Sequence, residues 1–188
     1  MYIRHSSKYG KEIKIIHPGE YFVSMQNELI GTLLGSCVAV CLYDEVNLIS
    51  GMNHFMLPGR ISNSDIFADK TARYGITAIN TLISSVIKAG GNKKFISAKI
   101  FGGGHVLETE TTQMSIPTDN IRLARVMMEM EDIPILKSDV GSNFTRKVLM
   151  DVKTGKVFLR RSTRKDVFSK ISKKEHDYIS RSLKDGQN

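Results

Sequence analysis

The sequence predicts a layered α/β fold, a sandwich of mixed, largely antiparallel sheet with two main helices. Two segments place apolar residues three and four positions apart, which is the period of an amphipathic helix. At least six other segments are short, apolar and rich in β-favouring residues. Many of the turns between them are too short for helical crossovers, so we expect most neighbouring strands to be antiparallel.

The predicted elements follow one another between turn signals. The first helix covers 71–89 and stops at Gly90-Gly91, and the second covers about 119–131 with Asp119 as its N-cap. An apolar stretch at 28–43 is interrupted at Gly35-Ser36-Cys37 and predicts two strands rather than one. The polar segment 60–69 predicts a surface loop. The other predicted strands are 20–23, 48–56, 95–101, 133–138, 147–151 and 156–160.

The positive charge lies at the two ends of the chain. Residues 1–14 carry four basic and one acidic side chain and residues 160–188 carry nine and four, out of 27 and 19 in all, which leaves fourteen of each for 15–159. We therefore expect a basic N-terminal extension at 1–14, one neutral domain at 15–160 and a basic tail at 161–188. The charged ends favour solubility or attraction to an acidic partner, and nucleic-acid binding is not expected because no binding motif accompanies them.

The cellular setting is predicted from what the sequence lacks. No stretch reaches the roughly 18 apolar residues of a membrane helix, and the first residues have no apolar secretion signal. We expect a cytoplasmic protein that does not insert into membranes. Cys37 and Cys41 are four strand residues apart, about 13 Å, which is too far for a disulfide. Two thiols without a second Cys pair or a spaced His pair do not predict a zinc site, and no motif predicts a cofactor.

The segment GTLLGSC indicates a candidate nucleophile at Cys37. A glycine before Ser36-Cys37 lets the backbone bend where a strand ends, which can expose the thiol and turn the N–H groups of Ser36 and Cys37 toward an oxyanion. The alternative is a structural cysteine, since buried cysteine packs as a small hydrophobe.

His54 is the candidate proton shuttle. It ends the run GMNH, 17 residues after Cys37, on a strand that we expect to lie beside that of Cys37. A histidine within hydrogen-bond reach can hold a cysteine as a thiolate at neutral pH, so the pair would act as nucleophile and acid/base. The alternative is a histidine satisfied within the core.

Four runs decide between these alternatives: LGSCVAVCLYD, GMNHFMLP, RYGITAIN and AKIFGGG. In this order and spacing the sequence resembles the chemoreceptor glutamine deamidase family CheD over about residues 19–160. The resemblance implies a layered α/β sandwich in which Cys37 is the nucleophile and His54 the general acid/base. It also implies that the substrates are glutamines in the cytoplasmic domains of methyl-accepting chemotaxis receptors, which become glutamates through a thioester. A catalytically weak module that binds the chemotaxis phosphatase CheC is the alternative function.

Two positions depart from the family pattern. Members often carry a threonine six residues before the cysteine, where it orients the histidine, but Gly31 stands there and the threonine follows as Thr32. On a regular strand a slip of one residue reverses the face, so Thr32 keeps this role only if a bulge or deletion restores its direction. Asn53 replaces a small residue, and we expect it to alter substrate entry.

Overall fold

The computed structural model describes residues 1–57, 61, 66, 70–106, 116–163, 173 and 177. These residues form ten strands, two helices and one 3-10 turn, Lys93–Phe95. The helices are α1 (Ala72–Lys88) and α2 (Ile116–Met130). The strands are β1 (Tyr2–Ser6), β2 (Lys11–Ile15), β3 (Tyr21–Ser24), β4 (Leu29–Leu34), β5 (Val38–Asp44), β6 (Ile49–Asn53), β7 (Ile96–Gly102), β8 (Ile135–Val140), β9 (Thr145–Asp151) and β10 (Val157–Ser162).

The strands form two five-stranded sheets. The first sheet has the order β1-β2-β4-β9-β10 and the second β3-β6-β5-β7-β8. Among the strand pairs of the described residues, only β2–β4 and β7–β8 are parallel, so both sheets are mixed and largely antiparallel. The predicted fold class, a layered α/β sandwich of mixed, largely antiparallel sheet with two main helices, is confirmed.

The second sheet is covered on both faces because its central strands are apolar at every position. On β5, Ala39 and Cys41 face the first sheet, whereas Val38, Val40 and Leu42 face α1 and α2. Since successive side chains of a strand point to opposite faces, a continuous apolar run suits a strand that lies between two layers. The molecule therefore has three layers: the first sheet, the second sheet and the helices.

The chain before residue 15 is part of the first sheet and not an extension. Strands β1 and β2 pair as a hairpin, and β2 then lies parallel to β4. Ile13 is buried against Leu29, and the Tyr2 ring stacks on that of His17. The predicted basic extension at 1–14 is thus replaced by two strands whose polar side chains lie on an exposed edge.

Two other boundaries differ from the prediction. Helix α2 begins at Ile116, so Asp119 lies in its first turn and is not its N-cap; Pro117 tolerates this early start because the first N–H groups of a helix need no intrahelical acceptor. Strand β10 continues to Ser162, past the predicted domain end at 160. The predicted loop 60–69 and tail 161–188 lie largely outside the described residues, although Ile66 is buried in the helix layer.

Candidate active site

The bend before Cys37 is where the chain passes from one sheet to the other. Strand β4 ends at Leu34 in the first sheet, Gly35 and Ser36 form a bend, and β5 begins at Val38 in the second sheet. Cys37 is therefore the last residue before a new strand. The interruption predicted at Gly35-Ser36-Cys37 is confirmed.

The end of β7 holds this bend by its backbone. The N–H of Gly104 donates to Gly35 O and the N–H of Gly103 donates to Cys37 O, both at 2.7 Å. A Cβ on Gly102 would lie 2.2 Å from Cys37 O, and the φ of Gly102 is +112°. Only glycine permits both this conformation and this contact. The run Gly102-Gly103-Gly104 therefore lies directly against the bend and supports it through backbone hydrogen bonds.

Asn120 fixes the middle of the bend, and the sequence analysis did not single it out. Its Nδ2 donates to Ser36 O at 3.0 Å, while its Oδ1 accepts the N–H of Leu57 at 2.9 Å. The side chain is fully buried in the first turns of α2. One amide thus joins the bend before β5 to the segment that follows His54. Its polar position on the inner face of an amphipathic helix was the available signal.

These contacts define where the N–H groups of the bend point. In a planar trans peptide the N–H is directed opposite to the C=O of the same peptide. Since the carbonyl of Gly35 points to Gly104 and that of Ser36 to Asn120, the N–H of Ser36 points away from Gly104 and the N–H of Cys37 points away from Asn120. Successive N–H groups at such a bend are the kind of donors from which oxyanion holes are built.

His54 lies on the same face as Cys37. Val38 and Phe55 exchange two backbone hydrogen bonds of 2.9 Å, which continue the register that places Cys41 opposite Met52. In this register Cys37 lies opposite Met56, and His54 is its diagonal neighbour. Diagonal neighbours on one face are about 7–8 Å apart, a distance that long side chains and rings span.

Thr32 reaches His54 from the opposite sheet. Its Oγ1 lies 2.8 Å from His54 Nδ1 and donates to Ile16 O at 2.9 Å. A hydroxyl has one hydrogen, so the oxygen accepts from an Nδ1–H of the imidazole. The neutral ring then carries its lone pair on Nε2, which is buried. This tautomer is the one in which Nε2 can take up a proton.

The direction of Thr32 needs no bulge. Strand β4 pairs with β9 in unbroken register from Leu29 to Leu34, and Thr32 faces the second sheet. The expected reversal assumed that one strand continues to Cys37, whereas the bend at Gly35 and Ser36 starts a new strand in another sheet. Gly31 faces outward, where a Cβ would lie 2.7 Å from Leu149 Cδ2. That face is already filled.

The predicted site is closed. Cys37 is 0% and His54 2% exposed. The thioether of Met56 lies over the bend, with its Sδ 3.5 Å from Cys37 Sγ and 3.4 Å from Ser36 Oγ. Another molecule can reach the thiol only after the Met56 side chain or another neighbour of Cys37 moves away.

Asn53 lies on the other face of β6, away from Cys37. Its Oδ1 accepts the N–H of Val40 at 2.9 Å and its Nδ2 donates to Ala78 O of α1 at 3.2 Å. The expected effect on substrate entry is wrong for this position, because the amide joins the second sheet to the helix layer.

The described part of the chain has neither a metal-binding cluster nor a membrane-spanning helix. Among the described residues, no group of three or more His, Cys, Asp or Glu side chains could hold a metal ion. No helix in that part of the chain is long and apolar enough to span a bilayer. Cys37 and Cys41 form no disulfide.

The chain is similar to one protein family across most of its length. The family model for CheD, described as CheD chemotactic sensory transduction, matches residues 56–161. A protein of Shewanella oneidensis named probable chemoreceptor glutamine deamidase CheD 1 is 42% identical over 160 residues, which are 85% of this chain and 76% of that protein. Proteins named probable chemoreceptor glutamine deamidase CheD from Hahella chejuensis and Thiobacillus denitrificans are 39% and 38% identical, over 89% and 88% of this chain and 78% and 81% of theirs. The family resemblance is confirmed: this chain belongs to the CheD family.

Proposed function

We propose that this protein deamidates glutamine side chains of chemoreceptors, with Cys37 as nucleophile, His54 as acid/base and Thr32 as the residue that orients His54. The observation that carries the proposal is the contact between Thr32 and His54 Nδ1, which directs Nε2 as an acceptor on the face that bears Cys37. The relatives named as chemoreceptor glutamine deamidases supply the substrate class. The reaction takes place on the cytoplasmic part of the receptor.

The reaction follows from these groups. His54 Nε2 takes the thiol proton, and the Cys37 thiolate attacks the glutamine δ-carbon, so that a C–S bond forms. The N–H groups of Ser36 and Cys37 stabilise the oxyanion. The imidazolium then protonates the amide nitrogen, the C–N bond breaks and ammonia leaves. Water, deprotonated by His54, attacks the thioester; the C–S bond breaks and glutamate is released. No step requires a cofactor.

Replacement of Cys37 tests the proposal. Wild-type protein and Cys37→Ala are incubated with receptor cytoplasmic fragments, and peptides are analysed by mass spectrometry for conversion of amide to carboxylate, with ammonia measured in parallel. We expect conversion with the wild type and none with Cys37→Ala. Cys41→Ala is the matched control and should retain conversion. Equal ammonia release from all three proteins would disprove the mechanism.

The burial of Cys37 favours a second candidate function, a regulatory module that binds a CheC-type phosphatase. A site that stays closed cannot turn over a protein substrate, yet the outer surface would still bind a partner. Cys37→Ala separates the two functions, since binding to the phosphatase should survive the substitution and deamidation should not. A wild-type protein that binds the phosphatase and releases no ammonia from receptor fragments would favour the module.

A further inference from the structure

A concave surface lies on the outer face of the first sheet, opposite to the face that bears Thr32. This outer groove, of about 740 Å³, runs between the β1–β2 hairpin and strands β9 and β10. Its floor is apolar and includes Ile13, Ile15, Leu149 and Phe158. No helix covers this face in the described part of the chain, whereas the outer face of the second sheet is covered by α1 and α2.

The charged side chains that line the outer groove are all basic. Arg4, Lys8, Lys147 and Arg160 lie around the apolar floor, together with His5, and none of the described residues that line it carries a carboxylate. All five are exposed. Two of the four basic residues of the N-terminal segment, Arg4 and Lys8, thus lie on a folded surface together with cations of β9 and β10. A groove of one charge sign attracts ligands of the opposite sign.

Two of these cations face each other without a counter-ion. Lys147 and Arg160 are directly opposite in the β9–β10 pair, and like charges in this position destabilise a sheet. Neither forms an ion pair within the described residues. At the next position of the same hairpin, Arg146 and Arg161 share the carboxylate of Asp139. A carboxylate from a bound partner would relieve the first pair in the same way.

The aromatic rings of the groove point to a protein rather than a nucleic acid. Tyr9 and Phe158 pack on each other with ring centroids 5.1 Å apart. The ammonium groups of Lys8 and Lys156 lie over these two rings, each 5.4 Å from the centroid. Proteins that bind single-stranded nucleic acids stack the bases on open faces of aromatic rings. In the groove these two rings contact each other and the lysine ammonium groups instead.

The protein's own C-terminal segment is a poor match to the outer groove. Residues 164–188 hold seven basic and four acidic side chains, so their net charge has the same sign as the groove. The match in charge and polarity is a segment from another protein with acidic residues on one side and apolar residues on the other. An amphipathic helix supplies this pattern.

We propose that the outer groove docks an acidic, amphipathic helical segment of the receptor that carries the substrate glutamine. The identity of the partner rests on the proposed function; the chemistry of the groove does not. Docking on the far face of the first sheet leaves the active site free, so the groove acts on substrate capture and not on the chemical step.

Peptide binding tests the chemistry of the groove. The probe is a labelled amphipathic peptide with glutamates on one face and leucines on the other, and its binding to full-length Cys37→Ala is followed by fluorescence anisotropy. We expect Lys147→Glu/Arg160→Glu to weaken binding at least about tenfold, and added salt to weaken binding to the unreversed protein. The control Lys94→Glu/Arg125→Glu reverses the same charges on exposed sites of the helix side and should change affinity by less than about twofold.

Three results would contradict docking of an acidic segment in the groove. They are equal weakening by both charge reversals, equal binding of a peptide with lysines in place of the glutamates, and tighter binding of a labelled single-stranded oligonucleotide than of the acidic peptide. The neutral variant Lys147→Gln/Arg160→Gln, which introduces no new charge, should give an intermediate affinity and guards against misfolding of the reversed form.

Turnover of receptor fragments tests the partner. On otherwise wild-type protein, Lys147→Glu/Arg160→Glu should raise KM about tenfold and leave kcat within about twofold. An unchanged KM would show that the receptor does not bind in the outer groove. If the wild type does not deamidate receptors but the peptide still binds in a charge-dependent way, the proposed function fails and the groove stands.

Discussion

Cys37 and Cys41 both face the first sheet and are both buried, yet only Cys37 has the surroundings of a nucleophile. Cys41 lies inside β5, opposite Met52 on one side and Lys99 on the other. Burial raises the pKa of its thiol to about 12, although Lys99 acts in the opposite direction. Cys37 lies at a bend whose carbonyls are hydrogen-bonded by Gly103, Gly104 and Asn120, and it is diagonal to an imidazole whose Nδ1 contacts Thr32. Burial alone makes a thiol inert, and the bend with its histidine is what distinguishes the two.

Removal of the imidazole should make Cys37 resemble Cys41. His54→Gln keeps a polar side chain near Thr32 but cannot shuttle a proton, so we expect deamidation to fall about 10²- to 10⁴-fold. Iodoacetamide labelling of Cys37 as a function of pH is the second measurement, and its midpoint should rise in the variant. Thermal unfolding serves as the control for folding. Wild-type turnover in His54→Gln would show that the comparison rests on the wrong residue.

Loss of the hydroxyl of Thr32 should have the next largest effect. Thr32→Val preserves the shape but leaves His54 Nδ1 without its acceptor in the opposite sheet, so we expect turnover to fall about tenfold to a hundredfold. Thr32→Ser retains the hydroxyl and should recover most of the activity. The pH dependence of kcat/KM should shift in the valine variant only. Equal behaviour of valine and serine would exclude an orienting role.

Thr32 also shows what a sequence can and cannot predict. Apolar period and turn residues predicted both helices, the break at Gly35-Ser36-Cys37 and the neighbouring strands that bring Cys37 and His54 to one face. The direction of Thr32 depended on whether the chain changes sheet at the bend. The pattern of apolar residues along a strand does not show which sheet the strand joins. Two apolar strands have the same pattern whether they pair in one sheet or face each other across a core.

The N-terminal hairpin and Asn120 were missed for a related reason. Strand β1 is almost entirely exposed and β2 is mostly half-buried with three charged residues, so their composition resembles that of a solvated end. Asn120 joins Ser36 and Leu57 across separations of 84 and 63 residues. A single polar residue within a helical pattern carries no sign of partners so far away in the chain.

Asn120 should matter less than Thr32, because it acts on the bend and not on the proton. Asn120→Asp can still accept from Leu57 N–H but cannot donate to Ser36 O, so we expect kcat to fall about tenfold with little change in KM.

Asn53→Asp is the matched control for this substitution. Asn53 is another buried amide with one accepted and one donated backbone hydrogen bond, on the helix side of the second sheet. Both variants should lower the melting temperature, but only Asn120→Asp should slow the alkylation of Cys37. Equal slowing by both would reduce Asn120 to a structural residue.

The smallest effect on activity is expected at Cys41. Cys41→Ala should leave deamidation within about twofold and cost about 1 kcal/mol of stability at neutral pH.

The pH dependence of stability should change more clearly. The folded thiol stays protonated up to about pH 12, whereas an unfolded one ionises near its ordinary pKa of 9.0. The unfolded state therefore binds fewer protons, and the free energy of unfolding of the wild type falls through this window by up to about 1.4 kcal/mol per pH unit. Urea unfolding at several alkaline pH values should show the gap between wild type and Cys41→Ala closing as pH rises. A constant gap would mean that Cys41 ionises as easily in the folded protein, and the contrast with Cys37 would then lie elsewhere than in burial.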